Sequence, residues 1–100
     1  MLSHALVVKL IAKPQRAEEL ESFLTSALPL AQAEDFTPVW FALRADATTF
    51  YIVDAFASSS ARIKHLEGAI AAALMERADV LLAQPPEIGQ VDVLASKVVA

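Results

Sequence analysis

The chain contains no cysteine, which removes disulfide staples, thiolate nucleophiles and Cys-ligated zinc together. It has no asparagine and only two glycines, too few for a loop that cradles phosphates, and no GxGxxG, P-loop, HExxH or GxSxG pattern occurs. Eight basic residues stand against twelve acidic ones, a formal charge of −4. No excess of Lys and Arg is therefore available to displace counterions from nucleic acid, and no nucleic-acid partner is expected. Long apolar runs are missing too. The run 5–12 is interrupted by Lys9 and falls far short of the roughly 20 residues of a membrane-spanning helix. It also lacks the small-residue cleavage site after a basic start that marks a signal peptide. These features point to a cytoplasmic protein, mature from Met1, with no membrane partner.

What is present is apolar. Hydrophobic types make up 56% of the 100 residues and charged types 20%, a composition that folds and that suffices for one domain, residues 1–100, with no second core. Ala5 to Ala12 is a β-branched-rich run ending at Pro14 and predicts a first strand. From Arg16, the apolar positions Ala17, Leu20, Phe23, Leu24, Ala27, Leu28 and Ala31 recur at helical spacing behind Glu18, Glu19 and Glu21, which predicts a helix bent at Pro29. A polar break at Glu34-Asp35 precedes two extended runs, Val39 to Arg44 and Thr49 to Phe56, joined by a four-residue loop short enough for a hairpin. Ser58-Ser59-Ser60 offers an N-cap to a second helix with the stripe Ile63, Leu66, Ile70, Ala73 and Leu74, running through Gly68 to about Met75 or beyond. A short helix over 78–83 and, after Pro85-Pro86, a last strand over 88–93 with a Val98-Val99 tail complete the chain.

The order βαββαβ is that of the ferredoxin-like α+β fold, a four-stranded antiparallel sheet with its helices on one face. The uncovered face of such a sheet is expected to be polar at alternate positions. Here Leu6, Val8, Leu10 and Ala12 share one face of the first strand, while Ala5, Val7 and Ile11 surround only Lys9 on the other. In the third strand Phe50, Ile52 and Phe56 share a face with Asp54, and Tyr51, Val53 and Ala55 line the opposite one. Two apolar faces and one layer of helices predict a sheet-to-sheet homodimer, since several hundred Å2 of bare apolar sheet is rare in a soluble monomer.

Few residues carry chemistry. His65 lies about 100° from Leu66 and about 200° from Ile63 around its helix, beside the core stripe. There it serves either as a general base near neutral pH or as an ordinary flank histidine. His4 precedes the first strand and is expected at the surface. Asp54, embedded in FYIVDAF, has to be paired or hydrogen-bonded, either in a salt bridge with Arg44, Arg62 or Lys9 or as part of a site. Trp40 and Tyr51 suit stacking on an aromatic ring or plain packing, and whether Trp40 shares a face with Asp54 depends on hairpin register. Two histidines some sixty residues apart, without Cys, assemble no preformed metal site. The strand-three run resembles the aromatic stripe of an RNA-recognition motif, which shares the βαββαβ order, but it lacks the glycines of that stripe and carries an acid in an acidic chain.

The pairing of Asp54 and Phe56 at the end of strand three with a following helix that carries His65-Leu66 resembles the antibiotic biosynthesis monooxygenase family of the dimeric α/β-barrel superfamily. The stretches Arg62 to Gly68, Ala71 to Met75, Leu81 to Ile88 and Val91 to Ala95 add to the likeness, which spans nearly the whole chain in element order. The resemblance implies a dimeric α/β barrel built by facing sheets. It also implies oxidation of a small phenolic or quinol-type aromatic by O2 without metal, flavin or haem, so no cofactor. On that reading His65 takes a proton or hydrogen-bonds the substrate, Asp54 tunes a cation or the substrate hydroxyl, Trp40 and Phe56 wall the ring, and Tyr51 orients it. The chain departs from the haem-degrading branch, which uses Asn, Trp and His. It has no asparagine, and Phe56 stands where that branch has its tryptophan. Asp54 replaces the Glu of many members. A non-catalytic, stress-associated dimer that binds a small apolar molecule is the alternative, because a fold does not fix chemistry.

Overall fold

The computed structural model describes residues 1–99. In chain order the elements are β1 (His4–Ile11), a 3-10 turn (Pro14–Arg16), α1 (Ala17–Ser26), α2 (Leu28–Gln32), β2 (Val39–Arg44), β3 (Thr49–Phe56), α3 (Ser59–Leu66), α4 (Ala69–Leu81) and β4 (Glu87–Asp92). The strands form one antiparallel sheet in the order β2-β3-β1-β4, so the ferredoxin-like α+β fold expected from the sequence is what the chain adopts. The hairpin between β2 and β3 is closed by Asp46, whose carboxylate accepts from the backbone N–H groups of Thr48 and Thr49. These hydrogen bonds hold its carboxyl below the usual aspartate range.

Strand pleating divides the sheet as the sequence predicts. Leu6, Val8, Leu10, Phe50, Ile52 and Phe56 are buried on one face, against Leu20 and Leu24 of α1 and Leu74 and Leu81 of α4. The opposite face carries Val7, Phe41, Leu43 and Val91, all exposed, with Phe41 opposite Val53 and Leu43 opposite Tyr51. After α4 the chain rejoins β1 through the Ala12–Leu82 bridge and enters β4 on the outer edge of the sheet.

The first helical segment breaks beside the bend expected at Pro29, and the second breaks where the sequence reading put none. The first divides at Ala27, because Pro29 has no N–H and its ring excludes the carbonyl one turn earlier. Leu28 consequently points outward, 45% exposed. The second does not run through Gly68. It stops at Leu66, Gly68 turns extended at φ −88°, ψ −174°, and α4 then continues unbroken to Leu81, absorbing the separate helix expected over 78–83. The break changes the phase of the buried stripe: Ile63, expected in the core, is 52% exposed, and His65 is buried in its stead. The last strand ends at Asp92.

Candidate functional site: a histidine held between two carboxylates

Three elements bring the site together. Asp54 sits in β3 directly opposite Leu6 of β1 and Trp40 of β2, which settles the register question: Trp40 and Asp54 share the helix-covered face. The side chain of Asp54 is fully buried. His65 comes from the last turn of α3, whose start is capped by Ser58 accepting from the Ala61 N–H. Ala61 packs on the core, and one turn later His65 occupies the same face. Glu34 follows α2 in a turn in which its own carbonyl accepts from the Thr37 N–H.

The imidazole lies between the two acids. Nδ1 is 2.6 Å from Glu34 Oε1, and Nε2 is 2.9 Å from Asp54 Oδ2. Thr37 Oγ1 donates to Glu34 Oε1 at 2.8 Å and lies 3.5 Å from His65 Nδ1, fixing the oxygen that faces the ring. Ionised carboxylates only accept, so one at each ring nitrogen favours the doubly protonated imidazolium over the neutral ring. Burial disfavours that charge, but the hydrogen bonds and charges of Asp54 and Glu34 outweigh it and raise the pKa of His65 above the ordinary value. The position of His65 at the C-terminal end of α3 acts in the same direction. The Asp54 contact is an ion pair by distance, though its direction is off that of a hydrogen bond, and both oxygens of Asp54, like the indole N–H of Trp40, lack a directed hydrogen-bond partner.

The sequence-predicted residues separate into two groups. Asp54, His65 and Phe56 converge, the Phe56 ring lying 5.3 Å from the imidazole centroid at a 43° tilt. Phe56 is itself fully buried. Trp40 packs beside them. Tyr51 points from the opposite face, level with Lys9 and Leu43, and does not join the group. None of the cations expected near Asp54 is its partner. Arg44 reaches Glu18 and Glu21, Arg62 donates to the carbonyls of Ala5 and Val91, and Lys9 lies on the other face, because its parity along β1 is opposite to that of Leu6. Glu34 and Thr37 are the residues that sequence reasoning missed. Their only signal was a polar break between a helix and a strand.

Glu34, Thr37 and Trp40 open onto a surface recess of about 320 Å3, closed on its other sides by Leu28, Ala31, Gln32 and Pro38. His65 and Asp54 lie behind this wall. The two carboxylates sit at opposite nitrogens of one ring and so do not converge on a shared point; among the described residues no group of three or more acids and histidines is placed to hold a metal ion.

No family model and no curated protein matches the chain. Solved structures do. The NE2512 protein of unknown function from Nitrosomonas europaea is 51% identical, with 100% of this chain and 97% of that one covered at a TM-score of 0.98. A second Nitrosomonas europaea protein, provisionally named an antibiotic biosynthesis monooxygenase, is 16% identical over 92% of this chain and 90% of its own, at a TM-score of 0.82. A Caulobacter crescentus protein with the same provisional name is 20% identical over 94% and 92%, at 0.80. At such identities these last two speak for the fold alone, and there they uphold the resemblance carried by Asp54, Phe56 and His65-Leu66. The chain belongs to the family of the NE2512 protein, and its fold is that of the structures named antibiotic biosynthesis monooxygenases.

Proposed function

We propose that the chain is an oxygenase that oxidises a small phenolic or quinol-type aromatic with O2 and needs no cofactor, because the substrate supplies the electrons. The observation that carries this reading is the line Glu34, His65, Asp54, which runs from a Trp40-walled recess into the core. The recess is of the size that takes one aromatic ring. A phenolic hydroxyl entering beside Trp40 meets Glu34 first, and its proton passes to that carboxylate. The positive charge on His65, balanced by Asp54, then steadies the phenolate. The phenolate gives one electron to O2, and radical and superoxide combine to form a C–O bond. The resulting peroxide takes up the proton, and loss of water leaves the quinone. One oxygen atom stays on the ring, the other leaves as water, and no outside reductant is consumed.

Oxygen uptake with a panel of hydroquinones and naphthols tests the proposal. Turnover of at least one compound is expected, with His65→Ala slower by roughly 100-fold or more. Uptake no faster than autoxidation across the panel overturns it. The second reading is a binding protein without turnover. It is favoured by both His65 nitrogens facing carboxylates inside the protein, and tight binding of a phenol without oxygen uptake would identify it. We also propose that Phe41, Leu43, Val7 and Val91 are covered by the sheet of a second copy, giving the barrel. The exposure of Phe41 (55%) and Leu43 (46%) supports this, and a monomeric mass by light scattering at micromolar concentration would refute it.

A further inference from the structure

We infer that Gly68 is a positioning residue: the missing side chain at the α3–α4 break is what lets the Glu34 carboxylate seat on His65. The inference rests on the same triad as the proposed oxygenase but is read out in the proton affinity of His65, so it stands or falls independently of any turnover.

The backbone at Gly68 does not itself require glycine. Its φ of −88° and ψ of −174° belong to extended conformations open to any residue, and among helix N-caps a Ser, Thr, Asp or Asn hydroxyl or carboxylate serves better than the empty position found here. The constraint is steric. A Cβ built on Gly68 falls 2.9 Å from Glu34 Oε2, 3.2 Å from the His65 carbonyl oxygen and 3.3 Å from that of Lys64. The two carbonyls are fixed in the last turn of α3, so the methyl group is held on that side and the carboxylate is what gives way. Glu34 Oε1, of the same carboxylate, is the atom 2.6 Å from His65 Nδ1 and the acceptor for Thr37. Displacing Oε2 therefore pulls Oε1 from both. The helix break thus does two things at once: it rotates His65 into the core, and it leaves a gap the width of a methyl group for the acid that charges it.

The test is the His65 titration followed by NMR in the full chain. Gly68→Ala is expected to lower the His65 pKa by about one unit, the lower end of what a neighbouring opposite charge contributes. Glu34→Gln is expected to lower it as well. In the Glu34→Gln background, adding Gly68→Ala is expected to produce no further change, since the group through which it acts has lost its charge. An unchanged pKa in Gly68→Ala, or an equal shift with and without the Glu34 charge, overturns the inference. Should Gly68→Ala fail to fold, Gly68→Ala/Glu34→Ala has to recover a native far-UV spectrum, because the atom in the way is gone; a double variant that stays unfolded overturns the inference too.

Discussion

Asp54→Asn is the substitution that best tests the charged site, because it removes a buried charge at nearly constant shape. The carboxylate is fully buried, 2.9 Å from His65 Nε2, and among the described residues no cation other than His65 pairs with it. Removing one partner of a buried ion pair costs about 3–5 kcal/mol when the other charge is left alone. Here Glu34 remains on Nδ1 and the ring keeps a polar neighbour beside Nε2, so the loss falls below that range, to about 2 kcal/mol, the scale of one charge-assisted contact. For a chain of this length that lowers Tm by roughly 8–16 °C. The loss depends on pH in a definite sense. The folded pKa of His65 is raised, so the stability drawn from its charge is complete below the unfolded value of about 6.5 and fades as pH rises through the folded value. Urea unfolding of both proteins, at pH 6 and again well above the titration of His65, is expected to show the full difference at pH 6 and a clearly smaller one at high pH. An equal difference at both pH values would mean that Asp54 does not act on a charged His65, and the electrostatic account of the site would be wrong.

Other expectations follow from the same geometry. Phe56→Ala removes a fully buried ring that also packs on the imidazole, and thermal unfolding is expected to show a loss of about 3–5 kcal/mol. Ser58→Ala deletes the cap accepting from the Ala61 N–H; about 1 kcal/mol should be lost in chemical denaturation, and an unchanged midpoint would mean that the hydroxyl contributes nothing to α3. Phe41→Glu with Leu43→Lys places charge on the exposed sheet face and is expected to split the proposed dimer, giving a monomeric mass in sedimentation where the parent gives a dimeric one, with the far-UV spectrum unchanged.

Alternation along the strands and the turn residues between them were enough to specify the fold. In β1 and β3 the face carrying Leu6, Val8, Phe50 and Ile52 is legible from period two alone, and the covered face seen in the structure is the same one. The burial of Asp54 was legible as well, since a single acid flanked by Ile52, Val53, Ala55 and Phe56 has no exposed side to turn to. Its partner was not. Arg44, Arg62 and Lys9 were reasonable from charge, but strand parity and the reach of each side chain sent them elsewhere, and sequence carries neither quantity. His65 became a buried residue only because α3 stops two residues before Gly68, a break that helix periodicity smooths over. Glu34, from a turn thirty-one positions away, was invisible for a simpler reason: a loop acid looks the same whether it faces water or a histidine. Local periodicity is a property of neighbours in the chain and can be read there, whereas a histidine held between two carboxylates is made by three segments arriving at one point, and only the packed structure decides that they do.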